Sequence, residues 1–169
     1  MPDSELVERL CNTLVHEHGV DRARIRIVFA PYRICPLGAH IDHQLGRVTS
    51  MALDRGIWLA YAPHEASVVQ MRSFDYPGTL HCQLRAVTSQ KNGDWGNYLR
   101  GAIRALQQRH DLQTGLIGIT AGKVSEGGLS SSAAVGVAYL LALEDVNALD
   151  IEAYENILLD QYIENTYLG

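Results

Sequence analysis

The chain has 169 residues, 47% of them hydrophobic and 20% charged, which is enough for one domain with a sizeable core. A formal net charge of −5 provides no basic surface for nucleic acid, and no apolar run is long enough to span a bilayer. The three cysteines, Cys11, Cys35 and Cys82, are far apart and odd in number, which favours reduced thiols and a cytoplasmic location. We therefore expect neither a nucleic-acid partner nor a membrane.

The first half of the chain predicts one helix followed by strands. Apolar residues recur at helical spacing between Ser4 and Gly19. Alternating polar and β-branched residues then predict a strand over 24–30. Further strands are predicted over 48–61, 67–72 and 79–87. Because these strands follow one another, with a Tyr-Pro-Gly turn before the last, the pattern suggests an antiparallel meander.

The second half predicts helices around one further strand. Asp94 caps a helix that reaches Leu106, and a strand is predicted over 115–120. Two more helices are predicted over 133–143 and 151–167. Strands grouped first and helices later favour an α+β fold over alternating α/β.

The junction between the 115–120 strand and the next helix reads Gly-Gly-Leu-Ser-Ser-Ser-Ala-Ala at residues 127–134. Paired glycines let the backbone approach a ligand, and the first turn of a helix offers unpaired N–H groups and a dipole that favours anions. With three hydroxyl groups beside them, these features predict a phosphate site. A linker with a helix cap is the alternative, but the first turn lacks the Asp or Glu typical of such caps.

A second polar segment, residues 31–46, follows the first strand and carries Arg33, His40, Asp42 and His43. A carboxylate and imidazoles suit vicinal hydroxyl groups, and an arginine stabilises developing negative charge. The alternatives are a polar surface loop and a metal site that includes the nearby cysteine, although the spacing fits no closed zinc pattern. Taken with the phosphate site, the segment indicates phosphoryl transfer from a nucleotide to a hydroxylated substrate.

These motifs carry a resemblance to a known family. Residues 33–43, Arg-Ile-Cys-Pro-Leu-Gly-Ala-His-Ile-Asp-His, resemble the first signature of the galactokinase branch of the GHMP kinases, and residues 127–134 resemble their ATP-phosphate loop. Trp95-Gly-Asn-Tyr98 stands where galactokinases carry a Trp and a Tyr, and Glu164 resembles the Glu before the family's catalytic aspartate. The amino-acid sequence of these segments is most similar to that of plant-type galacturonokinases.

The resemblance implies a role for each matching residue. Arg33 would lie beside the transferred phosphoryl group, while Trp95 and Tyr98 are expected to be packing residues. The residues implied in sugar binding are Ala39, His40, Asp42 and His43. Those implied in binding the ATP phosphates are Gly127, Gly128, Leu129, Ser130, Ser131, Ser132 and Ala133. Those implied near Mg²⁺ are Ser131, Ser132 and Glu164.

The resemblance also implies an architecture. It is a two-layer α+β fold like that of a ribosomal-protein domain, with a mixed or antiparallel sheet and helices on one face. Residues 1–169 would form the family's N-terminal domain, and its catalytic aspartate and C-terminal domain would be absent from this chain. We therefore expect the chain alone to be nearly inactive, and to self-associate through its exposed domain interface.

The implied activity is a sugar-1-kinase reaction that uses MgATP. Galactokinases place a Glu where this chain has Ala39, facing the carbon-6 hydroxyl of galactose. Replacing this Glu by Ala removes a negative charge and opens space for a substrate carboxylate at carbon 6, which predicts galacturonate as the substrate. Neither Arg47 nor Arg55 can be singled out from the sequence as the partner of that carboxylate. The alternatives are an ordinary galactokinase or arabinokinase, and an inactive sensor that binds sugar and ATP.

Overall fold

The computed structural model describes residues 4–38, 41, 44–122 and 131–169. Within these ranges four α-helices surround a five-stranded sheet, which confirms the α+β class. The elements are α1 (Ser4–His18), β1 (Arg26–Ile34), β2 (Met51–His64), β3 (Val68–Ser73), β4 (Thr79–Gln83), α2 (Asn97–Leu106), β5 (Gly115–Ala121), α3 (Ser131–Val146) and α4 (Ala153–Tyr162). After α4 the chain continues in a π-helical turn, Ile163–Leu168. None of the helices described is both long and apolar enough to cross a membrane.

The sheet is mixed, with strand order β1-β2-β5-β3-β4. β5 lies between β2 and β3, antiparallel to β2 and parallel to β3. The predicted meander is therefore wrong, because β2 and β3 follow each other in sequence but do not pair. The insertion of β5 brings its C-terminal end beside the C-terminal end of β3, since Thr120 pairs with Ser73.

The two faces of the sheet carry different cores. On β2, Leu59 and Tyr61 pack with α2, α3 and α4, while Ala60 and Ala62 pack against Leu14 of α1 on the other face. The alternation of large and small side chains follows the two-residue period of a strand. The expectation that the helices share one face is therefore wrong for α1, because the small residues on the second face leave room for a helix.

The helices on the larger core approach one another closely at glycines. A Cβ at Gly101 of α2 would lie 2.9 Å from Ile163 Cγ2, and a Cβ at Gly136 of α3 would collide with Asp160 Oδ1 of α4. Without side chains at these two positions, α4 and the turn after it lie directly against α2 and α3. This packing brings acidic side chains of the last helix close to the start of α3.

Candidate functional site

A cavity of about 270 Å³ lies where the ends of β3 and β5 meet the beginning of α3. Its apolar and aromatic wall is formed by Ile57, Tyr76, Trp95, Tyr98, Val135 and Tyr139. Its polar groups come from Ser73, Asp75, Thr120, Gly122, Ser131 and Ser132. A concave, mainly apolar pocket with a few convergent polar groups is the usual form of a small-molecule site.

The cavity opens onto the part of the predicted phosphate motif that the structure describes. Ser131 and Ser132 begin α3, two residues earlier than the sequence pattern predicts, and both line the cavity. Backbone N–H groups in this first turn lack helical partners, and the positive end of the helix dipole lies beside them. Ala133 follows in the same turn and is partly buried. The start of α3 is therefore suited to an anionic group.

The rest of that motif, Gly127, Gly128, Leu129 and Ser130, lies outside the described residues, as do Ala39, His40, Asp42 and His43 of the predicted sugar segment.

The aromatic wall is held in a fixed arrangement. The rings of Tyr76 and Trp95 are stacked at 6.1 Å between centroids with 15° between their planes. The Trp95 indole N–H donates to the carbonyl of Pro77 at 3.1 Å, which fixes the ring against the β3–β4 turn. Trp95 and Tyr98 pack against the hydrophobic core, as expected. Both residues also line the cavity, which the sequence did not predict.

Hydrogen bonds join the polar side of the cavity to the ends of two strands. Asp75 Oδ2 accepts the backbone N–H of Gly122 at 2.8 Å, and the Asp75 N–H donates to Ser73 Oγ at 3.0 Å. The N–H of Phe74 donates to the carbonyl of Thr120 at 2.9 Å. These contacts continue the β3–β5 pairing beyond the last paired residues. Ser73 and Thr120 are both buried and line the cavity, and the Thr120 hydroxyl donates to the carbonyl of Arg72 at 3.3 Å.

Two carboxyl groups lie near Tyr98. Asp160 and Glu164 are four residues apart, and each has a buried oxygen with no hydrogen-bond partner among the described residues. Burial, and next the charge of Glu164, raise the pKa of Tyr98, while a hydrogen bond with Ser132 acts in the opposite direction. Burial and the neighbouring Glu164 raise the pKa of Asp160 to about 7. Tyr98 is therefore close both to Glu164 and to the hydroxyl group of Ser132.

The residues predicted near Mg²⁺ carry oxygen donors, and one of these oxygens is buried. A buried carboxylate oxygen without a partner, as on Glu164, is unfavourable unless a cation or a donor satisfies it. Carboxylate and hydroxyl oxygens are the ligands that Mg²⁺ prefers, together with water and phosphate oxygens. Glu164, Ser131 and Ser132 carry donors of this kind, and the two serines line the cavity at the start of α3.

Arg33 lies at the end of β1 and away from the cavity wall. It pairs with Ala52 after an irregularity in the β1–β2 register, is exposed, and donates to Cys35 Sγ at 2.8 Å. Further along the chain, Leu37 and Thr49 hydrogen-bond each other. The Leu37 N–H donates to Thr49 Oγ1, and the Thr49 N–H donates to the Leu37 carbonyl, both at 3.0 Å. The described residues include no group of three or more His, Cys, Asp and Glu side chains that could hold a metal ion.

Of the twelve residues that line the cavity, sequence reasoning identified only Ser131 and Ser132 as site residues. Ser73, Asp75 and Tyr76 were visible only as a strand end and a turn, and Thr120 and Gly122 only as a strand end. The Tyr-Pro-Gly turn was a signal for a loop, but nothing in its local pattern indicates that it faces the start of α3.

Two sequence profiles match the chain. Residues 97–169 match the profile described as GHMP kinases N terminal domain, and residues 15–63 match the galactokinase galactose-binding signature. The first range contains the start of α3 and Glu164, and the second contains Arg33 and the polar segment after it.

Curated relatives and a solved structure agree with these profiles. The galacturonokinase of Arabidopsis thaliana is 44% identical over 99% of this chain and 44% of its own length. The galactokinase of Bacillus subtilis is 32% identical over 88% of this chain and 39% of its own length. The structure of Lactococcus lactis galactokinase complexed with galactose superposes with a TM-score of 0.90 at 26% identity, covering 97% of this chain and 43% of that one. The chain thus spans less than half the length of the curated relatives it matches.

A more distant structure shows the same fold. The mevalonate kinase of Methanococcus jannaschii superposes with a TM-score of 0.75 at 19% identity over 85% of this chain. The mixed sheet with its helices is therefore shared beyond the relatives that act on galactose-type sugars.

Proposed function

This chain belongs to the GHMP kinases, and we propose that residues 1–169 form the N-terminal domain of a sugar-1-kinase that phosphorylates galacturonate with ATP. The observation that carries the proposal is the cavity at the start of α3, which joins an aromatic wall to a helix N-terminus. In this reading the region that the longer relatives have in addition supplies the catalytic aspartate and the second domain.

The nucleotide is proposed to lie along the cavity. An adenine ring placed beside Trp95 and Tyr98 gains contact with aromatic faces, and the buried hydroxyl groups of Ser73 and Thr120 offer hydrogen bonds to its edge. The phosphates then extend towards Ser131 and the motif before it, where the helix dipole favours their charge.

Mg²⁺ is proposed to be held by Ser132 and Glu164. When bound there, Mg²⁺ would supply positive charge to offset the negative charge of the ATP phosphates. The chain contributes a buried carboxylate oxygen on Glu164, which has no hydrogen-bond partner among the described residues, and a hydroxyl at the first turn of α3. Tyr98 has a hydrogen bond with Ser132 and also lies close enough to Glu164 to feel its charge.

The sugar is proposed to bind in the segment after β1, with Arg33 close to the transferred phosphoryl group. His40 and Asp42 would hydrogen-bond the ring hydroxyls, with His43 beside them. Ala39 would leave space, without a negative charge, for a carboxylate at carbon 6. The 44% identity to a galacturonokinase, against 32% to a galactokinase, supports this substrate. Reduced thiols and the soluble metabolite substrates favour a cytoplasmic location.

The test is a kinase assay on the product of the complete reading frame that encodes this chain, with galacturonate and galactose in parallel. We expect kcat/KM for galacturonate to exceed that for galactose at least about tenfold, and Ala39→Glu to lower kcat/KM for galacturonate about a hundredfold by like-charge repulsion. Ala153→Glu, at an exposed position on α4, is the matched control and should change neither value.

Two other outcomes identify the alternatives. A preference for galactose that Ala39→Glu leaves unchanged would contradict the role of Ala39 and indicate an ordinary galactokinase. Binding of ATP and sugar without turnover would contradict the kinase proposal and indicate a sensor.

A further inference from the structure

Arg100 of α2 is a charged side chain that lies almost entirely inside the protein. Its side chain is 7% exposed, whereas that of its ion-pair partner, Asp94, is 42% exposed. Arg100 Nη2 donates to Asp94 Oδ1 and, at 2.8 Å, to Asn97 Oδ1. The Arg100 Nε is buried and has no hydrogen-bond partner among the described residues. Because a buried ion pair often adds little net stability, stability alone does not account for this arrangement.

The partner of Arg100 belongs to the short turn that leads into α2 and carries Trp95. Asp94 Oδ1 also accepts the backbone N–H of Gly96 at 2.9 Å, so its carboxylate bonds to the residue on the other side of Trp95. The hydrogen bond from Arg100, and to a smaller degree the Gly96 N–H, lower the pKa of Asp94 below its usual value. Asp94 is therefore a carboxylate at neutral pH, and both of these bonds are charge-assisted.

The guanidinium of Arg100 also lies directly against the backbone of this turn. A Cβ at Gly96 would lie 2.8 Å from Arg100 Nη1 and 2.6 Å from Leu80 Cδ1 of β4. Without a side chain at Gly96, the turn packs directly on Arg100. The indole N–H of Trp95 donates to the carbonyl of Pro77 at 3.1 Å. Trp95 is thus held at its ring by the β3–β4 turn, and through its two sequence neighbours by Arg100.

We propose that Arg100 is a positioning residue, which acts through Asp94 and Gly96 to hold Trp95 in the wall of the nucleotide cavity. This inference rests on the proposed function, because it concerns the same nucleotide site. Trp95 lines the cavity, whereas Arg100 does not line it in the described part of the chain. Arg100 therefore acts on the base of the nucleotide through the indole, which it keeps in the orientation that binding requires.

The experiment measures ligand binding by calorimetry in the product of the complete reading frame. The two ligands are MgADP and magnesium pyrophosphate, which has phosphates but no base. Arg100→Met keeps much of the side-chain volume and removes the charge, so it should weaken MgADP about fivefold and leave pyrophosphate unchanged. Arg100→Lys keeps the charge but makes fewer of the bonds, and should lose less affinity for MgADP than Arg100→Met.

The decisive comparison repeats Arg100→Met in a Trp95→Ala protein. If Arg100 acts through Trp95, the second substitution should cause no further loss of MgADP affinity, because the ring that it positions is already absent. A general loosening of the domain would instead add its own loss to that of Trp95→Ala.

Two more variants complete the design. Asp94→Ala is used if Arg100→Met does not fold, because Asp94 is exposed; it should also weaken MgADP about fivefold and leave pyrophosphate unchanged. Arg109→Met is the matched control, because it removes an arginine that pairs with Glu155 of α4 at 3.0 Å and does not line the cavity in the described structure. The control should bind both ligands normally.

Four results would overturn the inference. They are a full additional loss in the Trp95→Ala protein; an equal loss for pyrophosphate, which would indicate that the charge of Arg100 acts on the phosphates; unchanged MgADP binding in Arg100→Met or Asp94→Ala; and an unmodified protein that does not bind MgADP. Normal MgADP binding without sugar phosphorylation would instead contradict the proposed reaction, and the comparison of the Arg100 and Trp95 variants would still be decisive.

Discussion

Replacing Asp160 by asparagine should stabilise the chain at neutral and alkaline pH. Asp160 is partly buried at the end of α4, its Oδ1 has no hydrogen-bond partner among the described residues, and Glu164 lies one turn away. Burial and the charge of Glu164 raise the pKa of Asp160 from 3.8 to about 7 in the folded chain. The folded state therefore binds the Asp160 proton more tightly than the unfolded state does.

The sign of the pH dependence follows from that difference. A raised pKa contributes stability that is complete below pH 3.8, decreases as the pH rises, and is lost above pH 7. A difference of about 3 pKa units corresponds to an upper limit of about 4 kcal/mol in the free energy of unfolding. Because water still reaches part of the side chain, we expect about 2 kcal/mol.

The assay is urea unfolding of the unmodified chain and of Asp160→Asn at several pH values from 4 to 8, in EDTA so that no metal binds near Glu164. The two proteins should be equally stable near pH 4, and the variant should be more stable by about 2 kcal/mol at pH 8. Asp150→Asn, at an exposed position, serves as the control and should show no such difference. An Asp160→Asn protein with the pH dependence of the unmodified chain, or with lower stability at pH 8, would refute the reasoning.

Three further predictions concern the two faces of the molecule. Trp95→Ala should weaken MgATP binding about tenfold or more, because it removes a stacking surface from the cavity. Trp58→Ala is the control and should not weaken binding, because the Trp58 ring stacks on Phe29 away from the cavity. Calorimetry on both variants checks this prediction, and equal losses of affinity would contradict it. Glu164→Gln should raise the Mg²⁺ concentration needed for half-maximal ATP turnover about tenfold or more, and an unchanged Mg²⁺ titration would remove Glu164 from the metal site. Leu14→Ala, in the core between α1 and the sheet, should lower the free energy of unfolding by about 2 to 5 kcal/mol in urea titrations. It should leave the KM for ATP unchanged, and a raised KM would show that the two faces of the sheet are coupled.

Local patterns were sufficient for the parts of the site that are continuous in sequence. The Gly/Ser motif stands at the junction of β5 and α3, as predicted. This junction could be placed from the sequence because the short apolar run of a strand differs from the long apolar run of a helix in its length and in its flanking residues. α1 was equally predictable from its apolar spacing. The face on which α1 packs was not, because it depends on Ala60 and Ala62 of a strand about 50 residues away.

The remainder of the site depends on strand order, which local patterns do not encode. Asp75 and Gly122 meet only because β5 enters between β2 and β3, and the periodicity of each strand is the same for a meander as for this order. The burial of Asp160 was hidden for a similar reason. Its side chain lies against Gly136 of α3, and a glycine in a helix does not indicate which residue fills the space it leaves.

The central claim is that this chain binds ATP and a galactose-type acid for transfer to the anomeric oxygen. The most direct test is ³¹P NMR of the reaction of MgATP with galacturonate, catalysed by the product of the complete reading frame. The account predicts ADP together with a phosphate ester coupled to the anomeric proton. An ester on any other hydroxyl, or ADP formation that is independent of the sugar, would contradict it.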